Sequence, residues 1–150
     1  MPPPPDIMGH RLSKGIAILG STGSIGCSAL EVVQHLGPPY RAVGLSAHRQ
    51  TAKLLEQVQA HRPAAVALTQ AHPPARILEQ LCEAQVEVYR GPEGLVQLVE
   101  RPDVDVVLAA IVGAAGLPAV LAAVSAGKTL ALANKEALVV AGALLIPEAN

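Results

Sequence analysis

Phenylalanine and tryptophan are absent from this 150-residue chain, and Tyr40 and Tyr89 are its only tyrosines. A surface that binds nucleic acid needs aromatic faces on which bases stack, or cations clustered along a backbone track. Neither is present: the formal net charge is −1 and no run of Lys or Arg occurs, so nucleic acid is excluded as a partner. Cysteine is nearly as scarce. Cys27 and Cys82 lack CxxC spacing and clustered histidines, which argues against a metal cage or a disulfide framework. Both are read as small buried hydrophobes. Long apolar runs are missing too, because Gly, Pro, Asn or charge interrupts each one before the roughly 20 residues that a bilayer crossing needs. Met1 to Lys14 carries a proline run where a secretory leader needs a charged segment and an apolar stretch. The chain therefore reads as cytoplasmic, with no membrane partner.

What is plentiful is small aliphatic side chain. The apolar share is 51% and comes almost wholly from Ala, Val, Leu and Ile, a palette that suits buried strands sheathed by Ala-rich helices. The length suits one domain able to bury a continuous core. Pro2 to Pro5 and the aperiodic residues up to Ser13 form neither helix nor central strand, so residues 1–13 are expected to be a disordered Pro-rich tail. Residues 14–150 are expected to form the domain.

From Lys14 onward, short β-branched runs alternate with longer amphipathic segments, the sequence form of a parallel sheet built from βαβ units. Strands are predicted at Gly15 to Leu19, Arg41 to Leu45, Ala64 to Leu68, Val86 to Tyr89, Val104 to Ala109 and Thr129 to Ala133. Helices are predicted at Ile25 to Leu36, Thr51 to Ala60, Pro74 to Glu83, Pro92 to Val99 and Leu117 to Ala126. Gly37-Pro38-Pro39 and His61-Arg62-Pro63 stop the first two helices. Ala126-Gly127-Lys128 gives the last one a glycine stop, with a cation near its negative end. The expected class is α/β, a Rossmann-type doubly wound, mostly parallel sheet with helices on both faces.

The first strand runs straight into Gly20-Ser21-Thr22-Gly23-Ser24-Ile25-Gly26, and a helix pattern follows at once. A dinucleotide fold needs glycines at this point. Gly20 permits the sharp turn, Gly23 has no Cβ to obstruct a pyrophosphate, and Gly26 lets the helix pack closely on the strand. N–H groups at the helix start then face the anion, with the Thr22 and Ser24 hydroxyls as further donors. The spacing is GxxGxxG rather than the commoner GxGxxG, so its position between strand and helix carries more weight than the pattern.

An NAD site usually places a carboxylate at the end of the second strand to hold the ribose 2′-hydroxyl. Here that place holds Ser46-Ala47-His48-Arg49-Gln50, with no acid. Arg49 suits a 2′-phosphate, which favours NADP over NAD; a solvated surface arginine is the plain alternative. A cation at a helix start opposes the helix dipole, and an anionic ligand nearby relieves that placement. His48 either donates to the same phosphate or is simply exposed.

Two further runs accompany the glycine turn: AAIVGAAGL from Ala109 to Leu117, and LANKEAL from Leu132 to Leu138. In order and interval, the three stretches resemble the amino-terminal, NADPH-binding domain of the 1-deoxy-D-xylulose 5-phosphate reductoisomerase family, over about Lys14 to Asn150. The resemblance implies an NADPH-dependent oxidoreductase and isomerase of the methylerythritol phosphate route to isoprenoids. Such an enzyme rearranges a ketose phosphate and reduces the resulting aldehyde to 2-C-methyl-D-erythritol 4-phosphate. Its partner is a small sugar phosphate, and the full enzyme is a homodimer. The AAIVGAAGL and LANKEAL runs give no support to other NADP-dependent dehydrogenases with a Gly-rich opening. A non-catalytic NADP(H)-binding regulatory module is the alternative from a different class.

Residue by residue, the resemblance places Thr22, Gly23, Ser24 and Ile25 at the pyrophosphate and His48, Arg49 and Gln50 at the 2′-phosphate, with Gly20 and Gly26 of the same turn counted among the cofactor-binding residues. The family often shows Gly-Lys-Asn there, so Arg49 keeps the charge while His48 and Gln50 depart from the pattern. Ala110, Asn134 and Glu136 fall among cofactor contacts, and Lys135 falls where the family reaches the sugar phosphate. From the tripeptide alone, Asn134 as a helix cap with Lys135 and Glu136 as solvated charges is equally open. Gly113 and Gly116 suit either plain turns or a backbone pressed against the nicotinamide.

The family's Asp-Ser-Glu metal segment and its later domains are not found in these 150 residues. No catalytic residue and no ligand for the divalent Mg or Mn ion is therefore assigned here. Asp103, Asp105, Glu93 and Glu100 are read as solvated ends of elements. The chain alone is expected to bind cofactor without turnover.

Overall fold

Strand and helix alternate without a break from Lys14 to Leu132 in the computed structural model, which describes residues 13–111 and 113–132. The order is β1 (Lys14–Leu19), α1 (Ser24–Leu36), β2 (Tyr40–Ala47), α2 (Thr51–His61), β3 (Ala65–Leu68), α3 (Ala75–Glu83), β4 (Glu87–Arg90), α4 (Pro92–Val99), β5 (Val106–Ala109), a 3₁₀ turn (Ala114–Gly116), α5 (Leu117–Ser125) and β6 (Thr129–Leu132). The expected tail, apart from Ser13, and Asn134, Lys135 and Glu136 lie outside the described residues.

All six strands join one sheet in the order β4-β3-β2-β1-β5-β6, and every pairing is parallel. The chain winds outward from β1 to β4, then returns across the sheet to place β5 on the other side of β1. Helices cover both faces, as expected. On one face Leu30 and Val33 of α1, Leu54 and Val58 of α2, and Ile77 and Leu81 of α3 pack on Ile18, Leu45, Val66 and Leu68. On the other, Leu95, Leu98 and Val99 of α4 and Ala119 and Ala123 of α5 pack on Ala17, Leu19, Ala65, Ala67 and Val107. Neighbouring residues of a strand thus serve opposite faces, and both are buried. Fully burying one such Leu contributes about 1.5–3 kcal/mol.

Two details of β2 shape the sheet. Ile16 pairs with Ala42 but Ala17 pairs with Gly44, so Val43 is an extra residue accommodated as a bulge. A Cβ on Gly44 would lie 2.9 Å from Leu98 Cδ1, so the missing side chain is what lets α4 settle on the strand.

Helix ends follow the sequence with one exception. Gly37 takes φ 63° and closes α1 through its N–H to Val33 O; Arg62 takes φ 48° and closes α2 through its N–H to Val58 O. The Lys128 backbone N–H closes α5 on Ala123 O. Its ammonium, however, is not spent on the helix end. It donates to the carbonyls of Arg101 and Val104, at 2.8 and 2.6 Å, where two carbonyl oxygens offer a better site than a solvated helix terminus.

Sequence expectations about two acids and two cysteines need correction. Asp103 forms a two-pronged pair with the Arg101 guanidinium, at 2.9 and 3.1 Å. Asp105 accepts from the Gly15 N–H at 2.8 Å, so neither acid is a solvated end. Cys82 is exposed and Cys27 only half-buried, so neither is the buried hydrophobe expected. Arg101 also reaches Glu87 and Tyr89. Hydrogen bonding to Asp103, and then to Tyr89 and Glu87, outweighs desolvation and holds the guanidinium protonated even more firmly than usual. This cluster sits at the amino ends of the strands.

Candidate functional site

At the opposite, carboxyl ends of the strands the chain leaves a cleft of about 470 Å³. It straddles the place where β1 lies beside β5, the point at which strand order reverses and open α/β sheets place their ligands. Its floor is the turn after β1, through Gly20, Thr22 and Gly23. One wall comes from Ser46, Ala47, His48 and Gln50 at the end of β2 and Thr69 after β3. The other comes from Ala110, Ile111 and Ala115, with Pro92 and Leu95 of α4 beneath.

The turn holds three glycines, and the surrounding protein requires two of them. Gly20 adopts φ +81°, and a Cβ there would lie 2.8 Å from Ala110 O, so it both turns the chain and lets β5 approach. Gly26 is buried, and a Cβ on it would run into Gly20 O and Ser21, which accounts for the close seat of α1. Gly23 is exposed, with Gly20 O at 3.7 Å as the nearest atom to a built Cβ. Among the described residues, no protein atom requires glycine there. Gly23 stands at the start of α1 with extended backbone, and neither a side-chain cap nor a first-turn acid covers the helix end. Uncovered N–H groups at a helix start attract anions.

Of the residues expected at the cofactor, Gly20, Thr22, Gly23, His48, Gln50 and Ala110 line the cleft. Ser24 and Ile25 are exposed in the first turn of α1, and Gly26 is buried behind the turn. Arg49 is exposed between two lining residues, without lining the cleft itself. Thr22 is only 7% exposed. His48 is exposed, and its Nδ1 lies 2.8 Å from Thr69 Oγ1, so the ring is oriented at the cleft mouth. Gly113 takes φ +82°, and a Cβ built on it would meet no described atom within 4 Å, whereas one built on Gly116 would lie 3.5 Å from Ile111 Cβ.

Sequence reasoning missed the frame beneath the turn. The Gly20 N–H donates to Ser46 Oγ at 2.8 Å. The Ser21 hydroxyl turns inward to Gln57 Oε1, and Gln57 Nε2 donates to Ser21 O, both at 2.8 Å. The signal for Gln57 was available: it stands three residues after Leu54 and beside Val58, a polar residue within the apolar stripe of α2. Thr69, Pro92 and Leu95 carry no local signal, because their nearness depends on how the crossovers run. Among the described residues, no group of three or more His, Cys, Asp or Glu can hold a metal ion, and no helix is long and apolar enough to cross a membrane.

Comparison with known proteins agrees with this geometry. The family profile of 1-deoxy-D-xylulose 5-phosphate reductoisomerase matches residues 16–142. The 1-deoxy-D-xylulose 5-phosphate reductoisomerase of Methylococcus capsulatus is 51% identical over 138 residues, covering 90% of this chain and 35% of that protein. That of Symbiobacterium thermophilum is 44% identical, covering 93% and 37%. The chain thus spans about a third of the length of the curated relatives it matches. A crystal structure of DOX-P reductoisomerase in complex with NADPH, fosmidomycin and magnesium superposes with TM-score 0.84 at 39% identity, over 91% of this chain and 34% of that one. The Zymomonas mobilis enzyme in complex with NADPH gives 0.83 at 35% identity, over 91% and 36%.

Proposed function

The chain belongs to the 1-deoxy-D-xylulose 5-phosphate reductoisomerase family, and from that premise we propose that it is the NADPH-binding portion of an enzyme converting 1-deoxy-D-xylulose 5-phosphate to 2-C-methyl-D-erythritol 4-phosphate. The observation that carries the proposal is the cleft at the β1/β5 reversal, floored by Gly20, Thr22 and Gly23. Solved relatives hold NADPH. The residues present here fit that cofactor: an uncovered helix start for the pyrophosphate, no carboxylate after β2, and Arg49 beside His48 and Gln50 for the 2′-phosphate.

When bound, NADPH supplies the hydride for the reduction. The turn from Gly20 to Gly26 holds the pyrophosphate through backbone N–H groups, with Thr22, Ser24 and Ile25 at the helix start. Ala110 borders the cofactor on the β5 side. Asn134 and Glu136 are proposed as further cofactor contacts and Lys135 as the link to the sugar phosphate; all three lie outside the described residues. A relative was solved with magnesium. The described residues offer that ion no ligand group, and no step is assigned to it. A cytoplasmic homodimer for the whole enzyme belongs to the same proposal.

Titration calorimetry of the chain with NADPH and with NADH tests the reading. Binding of NADPH in preference to NADH is expected, and failure to bind either would overturn it. In an assay with 1-deoxy-D-xylulose 5-phosphate and Mg²⁺ or Mn²⁺, oxidation of NADPH by the chain alone would overturn the expectation that it binds cofactor without turnover.

A further inference from the structure

We infer that Gln57 is a positioning residue for the cofactor turn, a carboxamide that grips Ser21 at both of its polar ends and so sets the direction of the backbone facing the pyrophosphate. The inference rests on the reading of the cleft as a dinucleotide site.

Ser21 is completely buried and Gln57 is 9% exposed. Gln57 Oε1 accepts from the Ser21 hydroxyl and Gln57 Nε2 donates to the Ser21 carbonyl, each at 2.8 Å, across 36 residues of sequence. The second amide proton faces Cys27 Sγ at 3.7 Å, and that thiol in turn lies 3.6 Å from Ser21 O. On the β2 side, the Ser21 N–H and hydroxyl both reach Ser46 O, at 3.0 and 3.2 Å. Gly26 closes the remaining side.

The carbonyl held by Gln57 belongs to the peptide joining Ser21 to Thr22. A peptide is planar, so fixing its C=O fixes its N–H, and with it the entry of the chain into Thr22 and Gly23. Those two residues line the cleft. An anion site made of N–H groups depends on their direction, so a turn free to rotate that peptide binds phosphate less well. A leucine at this position would extend the apolar stripe of α2 without ordering a long amide. The polar side chain is explained by what it holds.

The test uses the full chain with Gln57→Glu, Gln57→Leu and Ser21→Ala. NADP⁺ serves as ligand, and adenosine 2′-phosphate, which lacks the pyrophosphate, serves as control. At about pH 8 the Gln57→Glu variant keeps an acceptor for the Ser21 hydroxyl but has no donor for the Ser21 carbonyl. NADP⁺ affinity is expected to fall about tenfold or more, as for a buried carbonyl left without its donor. Adenosine 2′-phosphate affinity should be unchanged. On lowering the pH to about 5, the introduced carboxyl begins to take up a proton and can then donate as the amide did. The variant's NADP⁺ affinity relative to wild type at the same pH should then recover. Ser21→Ala removes the hydroxyl that reaches Gln57 Oε1 and Ser46 O but keeps the Gln57 donor on the Ser21 carbonyl, and should weaken NADP⁺ by a smaller factor.

A residue that only supports the fold predicts a lowered melting temperature with equal losses for both ligands. That result, or full NADP⁺ affinity in folded Gln57→Glu, Gln57→Leu or Ser21→Ala, overturns the inference while leaving the cofactor site standing. Wild-type chain that binds neither ligand removes the site and the inference together.

Discussion

The main-chain N–H of Gly20 and the hydroxyl oxygen of Ser46 meet at 2.8 Å, so a single side chain ties the end of β1 to the end of β2 at the floor of the cleft. Replacing Ser46 by Ala leaves a half-buried N–H without its acceptor. The Ser46→Ala chain should lose about 1–3 kcal/mol of stability in urea. NADPH should also bind more weakly, since Gly20 lines the cleft. An unmoved denaturation midpoint would show that the Gly20 N–H finds another acceptor.

Arg49 carries the positive charge at the expected 2′-phosphate position after β2. Arg49→Ala should weaken NADPH by about 1.5–3 kcal/mol and leave NADH nearly unaffected, as expected when a charge-assisted contact is lost. Calorimetry with the two cofactors decides it. An equal loss for both would place Arg49 away from the 2′-phosphate.

Gly23 and Gly26 should respond to substitution in opposite ways. A side chain at 23 meets no described protein atom closer than 3.7 Å, whereas one at 26 meets Gly20 O and Ser21 at once. Gly23→Val should melt like the parent chain and bind neither NADPH nor NADH. Gly26→Ala should be destabilised by about 1–3 kcal/mol or more through overpacking. Thermal melts and cofactor titrations of the pair would show whether stability and binding separate in this way.

Stability and binding should separate again at Arg101, whose side chain is 17% exposed and holds Glu87 and Asp103 at 2.6 and 2.9 Å. These contacts lie at the amino ends of the strands, away from the cleft. Arg101→Met should cost about 1–3 kcal/mol, because each lost hydrogen bond to a charged partner matters more than the retained packing. NADPH affinity should be unchanged, and a change in it would imply coupling across the length of the sheet.

The sequence carried the element order because Gly, Pro and the apolar periods act locally. Pro92 after Gly91 marks the start of α4 by its missing N–H, and the predicted span Pro92 to Val99 is the observed one. The second strand was predicted to stop at Leu45, since Ser46 breaks the apolar run. In the sheet it continues through Ala47, because Ser46 and Ala47 pair with Ala67 and Leu68 of β3. Strand five was predicted from Val104 and begins at Val106, although the Asp105 N–H already donates to Gly15 O and its carbonyl accepts from the Thr129 N–H. For the site, the glycine turn and the end of β2 could be read from position along the chain. The inward turn of Ser21 and its meeting with Gln57 could not, since a side chain's direction in a turn depends on what packs behind it.

The central place of β1 bears on how the chain emerges from the ribosome. The β2 partners of its apolar residues Ala17 and Ile18, Gly44 and Leu45, are made soon after them, but their other partners, Val107 and Leu108, follow about ninety residues later. At the usual 5–20 residues per second, one flank of that strand stays open for roughly 5–20 seconds. During that interval a nascent chain presents an unsatisfied, hydrophobic ladder edge to any other nascent chain nearby. The arrangement that creates the cleft is therefore also the one that exposes the newborn protein to mispairing, and arrival of β5 ends both the exposure and the wait for a ligand-competent turn.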